Sequence, residues 1–363
     1  MEVRATAPGK VFLLGEYAVA LGAPAVVAAV DRRVGCRVRR SRGAGRLVIG
    51  AGTAAFEGPL SMTSVADVPR PVRFVAAAAA VSAQRLGLSD VDLAVHTWSD
   101  LDGAGPKSGL GGSAAVVAAV TTAVHRVGGR ESADPHTLAS CGVAAHRLAQ
   151  GGGSGADVVV STLGGVQRIS GLDGSRPPTS VASCLEGVAF RSEALALPAG
   201  LTFELVATGE SARTGPRIAR FVERARGRGP LGAAGAAIAE SWVAGSAAAV
   251  DGFCEACRDG DVPRAVAAAE AGRTLLTRLG AVAGVGVWTP NLRRACAALG
   301  SAPDVVIKPA GAGGGDSAVA LVPEIRREDL RAAWRKAGLQ PLEVEASLEG
   351  VKVEVVHEEG AHG

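Results

Sequence analysis

The segment Lys107-Ser-Gly-Leu-Gly-Gly-Ser-Ala-Ala115 constrains this chain more than any other. Its glycines run straight into SAAVVAAVTTAVHRV, which reads as a helix with Ser113 as N-cap and Gly128-Gly129 as its stop. A glycine loop that opens a helix gathers unpaired backbone N–H groups at the positive end of the helix dipole, and that combination binds anions. The stretch Gly109, Leu110, Gly111, Gly112, Ser113 and Ala114 is therefore the expected cradle for a nucleotide's phosphates. The Ser113 hydroxyl is on offer to magnesium or to a phosphate oxygen, and Lys107 stands nearby as a cation. The spacing is that of neither a Walker A loop nor GxGxxG.

Two more glycine-rich segments carry the same chemistry. In the first, Pro8-Gly9-Lys10 is expected as a turn between strands at 3–7 and 11–14, with Glu16-Tyr17 just beyond. A lysine there, among few competing charges, suits the neutralisation of phosphate charge during transfer. The other is Lys308-Pro-Ala-Gly-Ala-Gly-Gly-Gly-Asp316-Ser317, flanked by strands at 305–308 and 318–322. Each glycine costs conformational entropy on folding, so four in five residues argue for a close backbone approach to a ligand rather than a plain turn. Asp157 follows Gly-Gly-Gly-Ser-Gly-Ala and precedes three valines, where an unpaired carboxylate is costly to bury. It reads as a functional carboxylate, with a turn or N-cap aspartate as the alternative. His146 lies on the preceding helix, expected over 135–150; a lone histidine there is more often a core or surface residue than a ligand, and its role stays open. HExxH and GxSxG are both missing, so a metalloprotease or α/β-hydrolase is not indicated.

With 363 residues, 48% of them hydrophobic, the chain can bury a large core and is expected to divide near residue 195 into units 1–195 and 196–363. Strands mixed with helices and hairpins indicate an α+β class. A formal net charge of +3 without a long basic run points away from nucleic acid and from membrane surfaces as partners. The apolar runs are broken well short of the roughly 20 residues a spanning helix needs, and the chain opens directly into patterned structure without a leader. Six cysteines include a single CxxC, Cys254 and Cys257, inside a helical stretch. They read as core thiols, and the expectation is a reduced, cytoplasmic protein.

Taken in order, the three segments resemble the motifs of the GHMP kinase superfamily: APGKVFLLGEYAV the first, KSGLGGSAA the second, AGAGGGDS the third. The likeness runs from residue 7 to about 320. It implies an N-terminal domain like the second domain of ribosomal protein S5 and a C-terminal ferredoxin-like domain, with ATP and Mg2+ between them. Details lean toward the phosphomevalonate kinase family. Tyr17 stands where mevalonate kinases usually carry histidine, and KSGLG is similar to KxGLGSS. His146 to Val158 is similar to HxxAQGxGSGxDV, Thr208 to Thr214 to TGxxAST, and IKPAGAGGGDS to KPSGAGGGDC.

The resemblance implies 5-phosphomevalonate as acceptor, Lys10, Asp157 and Lys107 as catalytic residues, and Ser113 as the magnesium ligand. Around the acceptor it places Glu16, Tyr17, His146, Gln150, Ser154, Ser211, Thr214, Lys308, Gly311, Ala312, Gly313, Gly314 and Asp316. The departures are Gly112 for the first serine of GLGSS, Arg213 and Ser317 in the later motifs, and His146 where mevalonate kinases carry a magnesium-binding glutamate. DVVVSTLGG is also similar to the mevalonate kinase segment DNAVSTWGG, so mevalonate is the alternative acceptor, and a non-catalytic ATP sensor of the same fold a third reading. Retention of Lys10, Ser113 and Asp157 speaks against the sensor. The assembly is expected to be a monomer or homodimer.

Overall fold

The computed structural model describes residues 1–101, 108–210, 214–228 and 232–356, apart from the side chains of 281–283. Lys107 and Ser211 lie outside the described residues. The chain opens with strand β1 (Glu2–Leu14) and continues through β2 (Ala25–Arg42), β3 (Arg46–Ala51), β4 (Ala54–Pro59), helix α1 (Arg73–Arg85) and β5 (Val91–Ser99). Helices α2 (Gly112–Val127), α3 (Pro135–Gln150) and α4 (Ala156–Leu163) follow, then β6 (Val166–Ser170) and β7 (Arg191–Leu195). The six strands β12-β1-β2-β5-β3-β4 form the main path of one sheet, with β6 branching from β2 and β7 pairing with β6; β12 is Lys352–Val356.

Helices α1, α2 and α4 pack on this sheet, and α3 packs on those helices. They can approach closely because their facing side chains are small: Ala76 to Ala80 on α1 are fully buried, as are Ala114, Ala115, Ala119 and Ala123 on α2. Close packing of small side chains maximises dispersion contact per residue, which offsets the little area each alanine buries. Helix α2 runs through the middle of this layer, packed on β1, β2, α1, α3 and α4, so its N-terminus is held rigidly.

The second sheet is antiparallel, in the order β11-β8-β10-β9, from Leu201–Ala207 (β8), Val306–Pro309 (β9), Ser317–Pro323 (β10) and Gln340–Leu342 (β11). Helices α8 (Pro290–Ala297) and α9 (Arg327–Lys336) cover one face, where Leu292, Leu330 and Trp334 are buried together with Val206 and Ile307. Between β8 and β9 stand α5 (Thr214–Ala225), α6 (Gly232–Asp259) and α7 (Val262–Ala283). Helix α6 is long and apolar enough to cross a membrane by length and composition, although it packs Trp242, Val250 and Phe253 inside the protein. The architecture is α+β, as the residue pattern indicated.

Three expectations are corrected by the topology. Pro8-Gly9 makes no turn: β1 continues through it, and the irregularity falls on β2, where Pro8 faces Arg33 and Gly9 faces Val30. A bulge opposite a proline accommodates its missing N–H without ending the strand. The cap of α2 is Gly111 rather than Ser113. At φ 81° it makes the left-handed turn that aims the chain into the helix, so Ser113 lies in the first turn. Finally, the last strand departs from a division at residue 195: β12 pairs antiparallel with Glu2 to Thr6 of β1, inside the first sheet.

Candidate active site

Strand β1 is the element that brings the three glycine segments together. Its Lys10 N–H donates to the Leu110 carbonyl in the second segment at 2.8 Å, and its Phe12 N–H donates to the Ala310 carbonyl in the third at 3.1 Å. Beyond residue 6 this edge of β1 has run out of strand partner, and the two loops take over its donors. Between them opens a cavity of about 770 Å³.

Lys10 lies on its floor. The side chain is 9% exposed, and its Nζ donates to the Gly109 carbonyl at 3.2 Å. Burial lowers its pKa, and the negative charges of Asp157, Asp316 and Glu16, in that order, pull it back up. Gly111 has to be glycine for this lysine to fit, since a Cβ there would stand 2.8 Å from its Cγ and Cε. Gly109, Leu110, Gly111, Gly112 and Ser113 all line the cavity. Ala114 does not: it is fully buried and its N–H bonds the Gly111 carbonyl, which leaves the N–H groups of Gly112 and Ser113 at the open end of α2.

Asp157 is in the first turn of α4, whose cap Gly155 is left-handed at φ 79°. Its Oδ1 accepts from the Val158 N–H at 3.0 Å, and it lines the cavity without bonding Lys10. Gln150 and Ser154 line the same wall, with Gln150 Nε2 donating to the Gly152 carbonyl. Beneath them Arg147, 4% exposed, donates to the Ser154 carbonyl at 2.7 Å and braces the glycine loop. His146 is buried and packs at a tilt against Phe74, with ring centroids 4.9 Å apart and Nε2 3.2 Å from Ser113 Oγ. Burial lowers its pKa, outweighing the opposing pull of Asp157, and the ring is neutral at pH 7.

The third glycine segment is pinned from behind. Asp316 donates its N–H to Glu210 and accepts at its carbonyl from the Thr208 N–H and hydroxyl. Tyr17, the chain's single tyrosine, donates its hydroxyl to the Ala312 carbonyl at 2.5 Å. Tyr17 and Asp316 both have positive φ, 66° and 58°, a conformation that costs energy for a side chain with a Cβ and concentrates at functional sites. Gly311, Ala312, Gly313 and Thr214 line the cavity, as do Glu16, Tyr17 and Asp316. Gly314 does not; the Arg217 guanidinium packs on it and donates to the Gly313 carbonyl at 2.9 Å. Lys308 is also set back from the cavity. Its ammonium group donates to Glu16, to the Phe12 carbonyl and to the Pro309 carbonyl, which uses all three of its hydrogens inside the protein.

Sequence reasoning missed Arg70, Arg73 and Phe74 on the opposite wall. A signal was present: Arg73 opens α1, Arg70 stands just before it, and the first turn has no acidic residue, which opposes the helix dipole unless an anion lies close by. The donor set suits magnesium, a hard cation that takes one or two carboxylates and completes its shell with phosphates and water. Asp157 and Asp316 supply carboxylates at the cavity, while among the described residues no group of three His, Cys, Asp or Glu could hold a metal unaided.

A pinned phosphate-type loop at a helix N-terminus, a buried lysine beneath it and a second sheet closing over the top define a nucleotide-dependent transferase. The family models for the GHMP kinases N terminal domain and the GHMP kinases C terminal domain match residues 73–165 and 262–340. The chain belongs to the GHMP kinase family, and is a phosphotransferase. A phosphomevalonate kinase from Streptomyces sp. (strain CL190) is 30% identical to it, across 95% of this chain and 97% of that one. A mevalonate kinase from Thermococcus sibiricus is 27% identical across 98% and 99%. The structure of Streptococcus pneumoniae phosphomevalonate kinase in complex with phosphomevalonate and AMPPNP superimposes with a TM-score of 0.73 at 21% identity, covering 95% of this chain and 99% of that one, and shows the shared fold.

Proposed function

We propose that this kinase of the mevalonate pathway transfers the γ-phosphoryl group of ATP to the phosphate of 5-phosphomevalonate, giving ADP and 5-diphosphomevalonate. The observation that carries this reading is the state of Lys10: a buried ammonium group that donates to the Gly109 carbonyl, not to Asp157. It is therefore a cation supplied to the substrates rather than half of an ion pair. A phosphate monoester, with its second pKa near 6 (roughly), is already an anion at neutral pH. Such an acceptor needs no base, but its repulsion from ATP has to be relieved. The likeness to the Streptomyces phosphomevalonate kinase over nearly the whole of both chains supports the same acceptor.

In this reading a non-bridging oxygen of the acceptor phosphate attacks the γ-phosphorus. The bond to the β–γ bridging oxygen breaks, and ADP leaves with that electron pair. The N–H groups of Gly112 and Ser113 hold the nucleotide phosphates at the positive end of α2. Lys10 offsets charge on the transferred group from below, Lys107 is assigned the same task, and Asp157 counters, through its field, the lowering of the Lys10 pKa by burial. Glu16 and Lys308 fix the turn that carries Tyr17, while Tyr17 and Arg217 hold the third glycine segment over the acceptor. Asp157 and Asp316 would hold magnesium at the cavity, where it would withdraw charge from the phosphates.

Mevalonate is the second acceptor to test, because Asp157 lines the cavity and can take a proton from a hydroxyl, and mevalonate kinases match this chain over its full length. A coupled ADP-release assay with Mg-ATP and each acceptor in parallel separates the two. Turnover with 5-phosphomevalonate alone is expected. Turnover with mevalonate alone would replace this reading, and Asp157 would become the general base.

A further inference from the structure

Two histidines in neighbouring helices of this protein are wired in opposite ways. His125, on α2, bonds through Nδ1 to the Thr121 carbonyl one turn back at 2.8 Å. A carbonyl can only accept, so the proton of that neutral ring is on Nδ1. His146, on α3, makes no such bond. Its Nδ1 is buried without a partner among the described residues, and its one polar contact is Nε2 to Ser113 Oγ at 3.2 Å. The ring is 1% exposed and packs at a tilt against Phe74, away from solvent that could otherwise meet Nδ1.

A buried N–H left without an acceptor is a rarer and more expensive defect than an under-used acceptor. The proton of His146 therefore belongs on Nε2, and Nε2–H donates to Ser113 Oγ. A serine hydroxyl has one proton and two lone pairs. With one lone pair taken by the imidazole N–H, electron density is drawn off Oγ, and the hydroxyl's own proton is turned toward the cavity that Ser113 lines.

We propose that His146 is a positioning residue that sets Ser113 as a hydrogen-bond donor to a nucleotide phosphate oxygen. The proposal rests on the reading that nucleotide phosphates occupy the open end of α2. Asp157 and Asp316, which line the cavity, would offer carboxylate oxygen to a metal there. The histidine does the work of orientation that a free serine rotor does not do for itself, and it does so in the one place where a glycine, Gly112, leaves no second hydroxyl to help.

Two measurements test this. The first uses the unmodified protein labelled with 15N-histidine, without nucleotide or metal: the ring-nitrogen spectrum of His146 assigns its tautomer. A proton on Nε2 is expected, and a proton on Nδ1 overturns the proposal whatever binds at the loop. The second is the affinity for AMPPNP, measured by calorimetry with Mn2+ and again in EDTA, for the wild type, Ser113→Ala, His146→Leu and His146→Gln. Loss of a hydrogen bond to an anion weakens binding roughly 10- to 100-fold. Ser113→Ala and His146→Leu are expected to lose that much in both conditions alike, and the double variant little more than either alone. Glutamine, which keeps an N–H donor, is expected to restore most of the loss. A deficit confined to Mn2+, with a matching loss of the Mn2+ paramagnetic signal from the protein, would make Ser113 the metal ligand and sink the proposal. Failure of the wild type to bind AMPPNP at all would overturn the underlying nucleotide reading instead, and the tautomer spectrum would still stand on its own.

Discussion

Lys308 and Glu16, 292 residues apart in the chain, form an ion pair whose side chains are 3% and 5% exposed. It joins the strand before the third glycine segment to the end of the strand that carries the first. Removing one partner from such a pair leaves an uncompensated charge in a poorly solvated place. Lys308→Met is expected to destabilise the fold by about 3–5 kcal/mol in urea unfolding, and Lys308→Met with Glu16→Leu to recover most of that. A single variant as stable as wild type would show that the pair is open to water in solution.

Lys10 and Asp157 separate a charge role from a proton-transfer role. If the acceptor is a phosphate, Lys10→Met should lower kcat about 100- to 1000-fold, the range for removal of one group that meets transition-state charge. Asp157→Asn should cost less, since Asp157 acts on Lys10 through its field and makes no hydrogen bond to it. Steady-state kinetics on the two variants decides the matter. Abolished turnover in Asp157→Asn beside a mild Lys10→Met would contradict the phosphate-acceptor chemistry.

Gly111→Ala tests the packing beneath the second segment. A side chain at φ 81° costs roughly 1–2 kcal/mol of backbone strain, and the new methyl collides with the Lys10 stem. A lower melting temperature is expected, together with weaker AMPPNP binding. Unchanged binding would mean that the Lys10 stem has room to move aside.

The aromatic column behind Tyr17 predicts a spectroscopic handle on α5. Phe221 stands edge-on between Tyr17 and Trp242, with centroids 5.6 Å and 5.3 Å away, and is fully buried. Phe221→Ala should cost about 3–5 kcal/mol and shift tryptophan emission to the red as Trp242 gains water. Emission identical to wild type would argue that α5 repacks without loss.

Alkaline stability follows from the thiols. Burial raises the pKa of Cys36 from 9.0 to about 12. Below pH 9 the folded and unfolded chains both hold this proton, so its contribution is constant. Between pH 9 and 12 only the unfolded chain releases it, and stability falls as pH rises. Urea midpoints at pH 8 and pH 10 should therefore drop less in Cys36→Ala than in wild type. The same burial should keep Cys254 and Cys257, whose pKa values rise to about 11 and about 12, unreactive toward alkylating agents at pH 8 until the protein unfolds.

What could be seen in the sequence was the local part of the site. Glycines such as Gly109 and Gly111 are required by backbone geometry at their own positions, and Asp157 stood out because its neighbours are glycines on one side and valines on the other. What could not be seen depends on partners far away in the chain. Nothing beside Lys308 announces that Glu16 and the Phe12 carbonyl will absorb all of its hydrogens, so a structural lysine looked like a substrate contact. The turn at Pro8-Gly9 is a sound local inference that fails because the irregularity is carried by β2 instead. Ser113 looked like a cap because its residue type favours one, whereas the left-handed turn one step earlier, at Gly111, fixes where α2 begins.

Because β12 completes the sheet beside β1, two strands from far-separated parts of the chain are neighbours. At the usual pace of synthesis, roughly 5–20 residues per second, tens of seconds separate them on the ribosome. Throughout that interval the outer rim of β1 presents unpaired amides, the kind of surface on which strangers nucleate aggregation. The chain's vulnerability during its manufacture is thus set by the same strand that later unites the loops of the mature pocket.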